Sequence, residues 1–201
     1  MDEVTARNRA AYDRIAEDFA ARNPDVPAPY LAFADEFQRR ADGPLLDLGC
    51  GPGRDLAFWA GRGVAAVGLD LSAAMLRAAR TRVPVPLVQG DLLRLPFRGA
   101  VLGGVWCSAA LLHLPKAAAP AALADLRRVL RPGGPLLLSL QEGDGESWQR
   151  WPGEDADRFF ARYRAEEVDQ LLAGAGFTLL RRERDVSPPD KRWLCHLAVA
   201  R

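Results

Sequence analysis

The sequence predicts an α/β domain, a doubly wound, mostly parallel sheet of about seven strands with helices on both faces. Three observations carry that expectation. From Gly43 onward, short apolar runs bounded by Gly, Pro or Asp alternate with alanine- and arginine-rich stretches of helical period, which is the pattern of strands joined by crossover helices. Helix stop signals fall between the runs: Gly63 follows one helical stretch, Arg131-Pro132-Gly133-Gly134 closes another, and Gly174 and Gly176 close the last. The length of 201 residues, 49% of them hydrophobic, suits one domain. A chain of this size buries roughly 70% of the surface exposed when unfolded and folds without a disulfide or metal staple.

Two helices precede the sheet. Tyr12, Ile15, Ala16 and Phe19 repeat at the spacing of one apolar helix face, as do Tyr30, Phe33, Ala34 and Phe37. They cover a sheet edge or form a lid over a site. The strand candidates that follow are Pro44–Leu48, Val64–Leu69, Pro84–Gln89, Ala100–Cys107 and Pro135–Leu140, interleaved with helices at Asp55–Arg62, Ser72–Arg82 and Ala117–Leu130. Between Gln141 and Arg162 runs a glycine- and proline-punctuated connection bearing Trp148, Trp151, Phe159 and Phe160, either a capping segment or a substrate-binding insertion. A last helix, Arg164–Ala175, leads to strands Phe177–Arg184 and Arg192–Ala200. Their connection, Asp185–Lys191 with Pro188-Pro189, is too short for a parallel crossover, so the last strand is expected to be antiparallel.

Composition excludes several functions. With 27 Lys+Arg against 26 Asp+Glu, the chain lacks the sustained positive excess of a nucleic-acid or polybasic membrane binder. The start, Met1-Asp2-Glu3-Val4, has neither the basic nor the apolar region of a signal peptide, and no apolar run reaches the ~20 residues of a membrane span, so a cytoplasmic protein is expected. Cys50, Cys107 and Cys195 form no CxxC pair and no Cys/His cluster of zinc-ligand spacing. They read as buried thiols in a metal-free protein.

The chemistry concentrates in Leu45-Leu46-Asp47-Leu48-Gly49-Cys50-Gly51-Pro52-Gly53-Arg54-Asp55, a buried strand running into a glycine turn and then a helix. Alternate glycines let the backbone turn sharply and approach a ligand, and the helix start offers free N–H groups. The spacing is GxGxG; Arg54 stands where the dinucleotide fingerprint GxGxxG/A has its third small residue.

Asp47-Leu48-Gly49-Cys50-Gly51-Pro52-Gly53 resembles the first motif of Rossmann-like (class I) S-adenosylmethionine-dependent methyltransferases of small-molecule type, and further landmarks follow in that family's order. Val67-Gly68-Leu69-Asp70-Leu71-Ser72 places an acid 21 positions after Gly49, where the resemblance implies a carboxylate on the ribose hydroxyls. Met75 resembles the apolar residue beside the adenine. Val88-Gln89-Gly90-Asp91-Leu92 resembles the third-strand motif, with the Asp91 side chain toward the adenine amino group and the Leu92 N–H toward the ring. Val105-Trp106-Cys107-Ser108 and the run to His113-Leu114 resemble the fourth-strand motif, which places Ser108 by the methionyl moiety and the transferred methyl. Arg127-Arg128-Val129-Leu130-Arg131-Pro132-Gly133-Gly134 is similar to the turn before strand five, and Tyr12-Asp13-Arg14-Ile15-Ala16 to the N-terminal YDxxA segment. Gly103-Gly104 stands near where the family enters strand four through Phe-Asp, so that strand begins differently or bulges.

The resemblance implies an enzyme that binds S-adenosylmethionine through Tyr12, Asp47, Gly49, Gly51, Gly53, Asp70, Leu71, Met75, Asp91, Leu92 and Ser108 and methylates an O, N or C nucleophile of a small molecule. Asp47 there orders the loop and reaches the methionine amino group through water. His113 is the one histidine near the expected methyl position and hence the candidate general base, against a packing role on its Leu-rich stretch. His196 reads as structural. Tyr12, Phe19 or Tyr30 could face the sulfonium through cation–π attraction.

Three rival readings remain open. A tRNA or protein acceptor would use Arg39/Arg40, Arg127/Arg128 or Arg181/Arg182/Arg184, but Glu183 and Asp185 interrupt the last group. An NAD(P)-dependent oxidoreductase is disfavoured by Arg54 and by the lack of a Tyr-x-x-x-Lys pair at Lys191. A non-catalytic cofactor-binding protein would keep the same motifs. The expected division is lid helices over 1–42, a cofactor-binding core over 43–140, a substrate-side insertion over 141–163 and closing elements over 164–201.

Overall fold

The computed structural model describes residues 2–186 and 191–201, so the Pro188-Pro189 segment of the expected closing loop lies outside the described residues. Helices α1 (Glu3–Arg22) and α2 (Ala28–Arg40) lead into β1 (Leu45–Leu48), α3 (Arg54–Gly61), β2 (Ala66–Asp70), α4 (Ala73–Arg82) and β3 (Leu87–Gln89). There follow β4 (Gly104–Ser108), α5 (Ala119–Val129), β5 (Pro135–Gln141), β6 (Glu146–Arg150), β7 (Asp157–Ala161), α6 (Ala165–Gly174), β8 (Phe177–Val186) and β9 (Arg192–Ala200). Seven strands form one mixed sheet in the order β3-β2-β1-β4-β5-β9-β8. The first five are parallel, and β9 runs antiparallel to both β5 and β8.

Side chains alternate across the sheet as a period of two requires. Leu45, Trp106, Leu137 and Leu197 face Phe33 and Phe37 of α2 and Leu56 and Trp59 of α3. Leu46, Val105, Leu136 and Leu138 face the other way, onto Leu123 and Leu126 of α5 and Val168 and Leu172 of α6. Both layers are fully buried. Cys50, Cys107 and Cys195 are buried thiols, and among the described residues no helix is long and apolar enough to cross a membrane.

Four expectations need correction. β3, an edge strand paired only with β2, starts at Leu87 rather than Pro84: Pro84 and Pro86 have no N–H to give to that ladder. β4 starts at Gly104 rather than Ala100: Ala100 has φ 54°, and Gly103 packs so tightly on the Asp42–Gly43 backbone that a Cβ would lie 2.6 Å from it. The 141–163 connection contains the antiparallel hairpin β6–β7, with Trp148 opposite Phe159 and Gln149 opposite Arg158. Finally, the two N-terminal helices part company. α2 is a core layer against the sheet, whereas α1 spans the end of the sheet between α4 and β7.

Because β2 lies on one side of β1 and β4 on the other, the chain leaves these strands in opposite directions and opens a crevice at their C-terminal ends. α1, the β6–β7 hairpin and the Leu111–His113 turn close over it.

Candidate active site

Gly49 and Gly51 follow β1 with φ of 69° and 52°, a region that costs glycine little. A Cβ on Gly49 would lie 2.4 Å from that of Ala110, so the turn from β1 and the segment after β4 interlock only through a glycine. Gly51 has open space where a side chain would project. Its N–H donates to Asp70 Oδ2 at 2.8 Å, and the Ser72 N–H donates to Asp70 Oδ1 at 2.8 Å. The carboxylate at the end of β2 is thereby fixed across the mouth of the glycine turn. Burial nevertheless pushes the Asp70 carboxyl up to about 6, with these backbone N–H groups pulling it down.

Beside them lies a cavity of about 520 Å³, in the size range of small-molecule sites. Tyr12, Asp47, Gly49, Gly51, Asp70, Leu71, Met75, Asp91, Leu92, Ser108 and His113 all line it. Gly53 does not. It caps α3 at φ 80°, and a Cβ there would press on Ala79 of α4 at 3.1 Å, so this glycine serves helix packing. Asp47 is buried with Oδ2 unpartnered, and burial together with Asp55 and Asp70 holds its carboxyl well above the usual range. Asp91 Oδ1 accepts the Leu93 N–H at 2.9 Å, an Asx turn that presents Gly90 to Leu92 to the cavity. Met75 is fully buried on α4.

His113 is placed differently from a lone base. Its Nδ1 lies 2.7 Å from the Phe159 carbonyl, which can only accept, so that nitrogen carries the proton. Nε2 is then the acceptor for the Tyr12 hydroxyl at 2.7 Å. With both nitrogens engaged and burial lowering its pKa to about 4, the imidazole is a neutral, weakly basic post for Tyr12. Tyr12 in turn is raised by burial, opposed by Arg158.

Several lining residues carried no site assignment in the sequence. Arg54 pairs with Asp55 at 2.6 Å and reaches Ser108 Oγ at 3.4 Å, while Asp55 also accepts the Trp106 indole N–H at 3.0 Å. Asn8 on α1 donates to the His113 carbonyl at 3.0 Å and accepts the Phe159 N–H at 2.8 Å. Behind the lining, Asp13 accepts the Ser72 hydroxyl at 2.7 Å and the Ala74 N–H at 3.1 Å, fastening α1 to the start of α4. Gln141, Trp151 and Arg158 complete the wall from β5 and the hairpin. Only Tyr12-Asp13 offered a local signal, through the N-terminal segment. His196 does lie outside the cavity, buried 3.3 Å from Asp169.

A methyltransferase-domain family model matches residues 45–134. A malonyl-[acyl-carrier protein] O-methyltransferase of Enterobacter lignolyticus is 33% identical over 166 residues, 73% of this chain and 64% of that protein, so the chain spans just under two thirds of its length. An uncharacterized methyltransferase of Synechocystis is 32% identical over 147 residues, 69% of this chain and 68% of that protein. Among solved structures, the Burkholderia thailandensis 1,6-didemethyltoxoflavin-N1-methyltransferase, crystallised with 1,6-didemethyltoxoflavin and S-adenosylhomocysteine, superposes with TM-score 0.79 at 24% identity over 97% of this chain and 88% of that chain.

Proposed function

Since the chain belongs to the class I S-adenosylmethionine-dependent methyltransferases, we propose that it transfers the methyl group of S-adenosylmethionine to an O, N or C nucleophile of a small molecule held in the cavity beside Asp70. The observation that carries this reading is the ionisable Asp70 fixed at the end of β2 by the Gly51 and Ser72 N–H groups, next to a glycine turn with open space over its backbone.

The residues present fit that cofactor. Asp70 suits a pair of ribose hydroxyls, because its oxygens can accept further hydrogen bonds beyond those from the backbone. Asp47 Oδ2, a buried acceptor without a partner, suits an ammonium group or its bridging water. Met75 and Leu71 are apolar walls for a flat ring, and Asp91 with the Leu92 N–H offers an acceptor and a donor for its edge.

When bound, S-adenosylmethionine supplies a methyl group already activated by its sulfonium. What the protein must add is orientation and exclusion of water, which supply ~7–11 kcal/mol of barrier reduction in well-oriented systems. α1 and the hairpin enclose the cavity, and Tyr12, edge-on to Phe19 with centroids 5.6 Å apart, gives it an aromatic wall. His113 holds the Tyr12 hydroxyl at its Nε2, so any proton leaving the acceptor on that side meets the phenol oxygen before the imidazole.

Isothermal titration decides between this and the nicotinamide reading. Micromolar binding of S-adenosylmethionine or S-adenosylhomocysteine, with none of NAD(P), is expected; the reverse pattern overturns it. The acceptor's small size is supported by a cavity built from the chain's own helix, hairpin and strand ends.

A further inference from the structure

Four residues of the cavity wall each carry a buried polar atom without a partner: Asp47 Oδ2, Thr5 Oγ1, Gln141 Oε1 and Arg158 Nε. Asp47 belongs to the cofactor end. Thr5, Gln141 and Arg158 come from α1, β5 and β7, and of these elements only α1 carries a cofactor motif, the Tyr12–Ala16 segment. Of these, Arg158 is the one bearing charge.

The surroundings of Arg158 are asymmetric. Its guanidinium stands 4.5 Å from the Trp151 ring, 5.0 Å from Phe160 and 5.9 Å from Tyr12, so aromatic faces hold the plane in place. The carboxylates of the hairpin are already engaged elsewhere: Asp157 with Arg7 at 2.7 Å, Glu154 with Arg14 at 3.3 Å and Asp155 with Arg150 at 2.7 Å. Among the described residues Arg158 forms no ion pair, its Nε–H is buried without an acceptor and its polar neighbour is the Tyr12 hydroxyl; a guanidinium in the wall of a cavity without a counter-charge is costly unless a ligand supplies one.

We propose that Arg158 is the specificity residue of the acceptor pocket and that the methyl acceptor carries a carboxylate, which the guanidinium fork holds. This inference rests on the methyl-transfer reading above. A planar guanidinium presents paired N–H donors that match the two oxygens of a carboxylate. The single guanidinium of Arg158 balances one carboxylate, whereas a phosphate monoester dianion would leave a second charge that it does not match.

The test uses the whole chain saturated with S-adenosylhomocysteine, titrated with acetate, succinate, benzoate and phenylacetate, with the matched amides, and with phenyl phosphate. At least one carboxylate is expected to bind about tenfold tighter than its amide and than phenyl phosphate, and Arg158→Gln is expected to abolish the preference while S-adenosylhomocysteine affinity changes by less than about threefold. Equal binding of every acid and its amide, tighter phosphate binding, or a preference that survives in Arg158→Gln overturns the proposal. Should Arg158→Gln fail to bind S-adenosylhomocysteine, Arg158→Lys decides, since it keeps the charge and loses the fork: a preference reduced by about threefold or more supports the proposal, and an unchanged one overturns it. Failure of S-adenosylhomocysteine to bind the wild-type protein overturns the methyltransferase reading instead.

Discussion

Asp70 joins the local chemistry to the proposed cofactor. Only the ionised carboxylate accepts from two hydroxyls, and burial has raised its pKa to about 6. S-adenosylhomocysteine affinity is therefore expected to be flat above about pH 7 and to weaken by up to about tenfold per unit below pH 6, measured by titration calorimetry. Asp70→Ala should cost ~1.5–3 kcal/mol of that affinity, and an unchanged dissociation constant would refute the ribose assignment. Gly49→Ala tests the turn itself. Its φ of 69° and the 2.4 Å approach to Ala110 leave no room for a methyl, so a loss of ~1–3 kcal/mol in urea unfolding is expected, with weaker cofactor binding. Gly53, legible in the same motif, answers to a different neighbour, because its place in the GxGxG run says nothing about Ala79 of α4 packing behind it.

The β6–β7 hairpin and α1 act as a unit. Besides the ion pairs of Arg7 and Arg14, the Trp151 indole N–H donates to Asp18 at 2.5 Å, and Asn8 ties the Phe159 N–H to the His113 carbonyl. The surface pairs contribute little. Asn8 is buried, and Asn8→Ala leaves one donor and one acceptor unsatisfied, so a loss of ~2–4 kcal/mol is expected in denaturant titration. Retention of full stability would mean that water replaces the amide. Hairpin formation was hard to see in the sequence because Gly143, Gly145, Pro152 and Gly153 read as loop punctuation, while Trp148, Phe159 and Phe160 bury faces that only α1 and the Leu111–His113 turn provide. The same holds for α2, whose apolar stripe is identical in kind to that of α1 although it packs on the sheet rather than over the site.

Acid stability belongs to the whole molecule. Burial lowers His113 and His196 to about 4, so between about pH 6.5 and 4 the unfolded chain binds more protons than the fold, and each histidine withdraws up to ~3 kcal/mol of stability as pH falls. Asp70, raised to about 6, has the opposite sign: the fold takes up its proton first, and stability is gained as pH falls from about 6 to 4. Asp70→Asn removes that contribution. Relative to wild type it is expected to lose ~3 kcal/mol between pH 6.5 and 4 in urea titrations, and a difference that stays constant over this range would mean that Asp70 remains ionised.

From the sequence alone came the layered α/β architecture, the antiparallel last strand and the residues proposed for the cofactor half of the site, since each of these is written in contiguous segments. A strand, its turn and the first residue after it are neighbours in the chain, and a period of two or 3.6 fixes which side chains share a face. Only the tertiary structure brought together the wall proposed for the acceptor. Asn8 and Tyr12 of α1, His113, Gln141 and Arg158 lie on four separate segments, and their convergence depends on how α1 and the hairpin dock across the end of the sheet. Docking is set by the direction of each side chain and by which polar atoms find partners, and no local pattern encodes either. The unpartnered Nε of Arg158 is therefore visible only once the chain is folded.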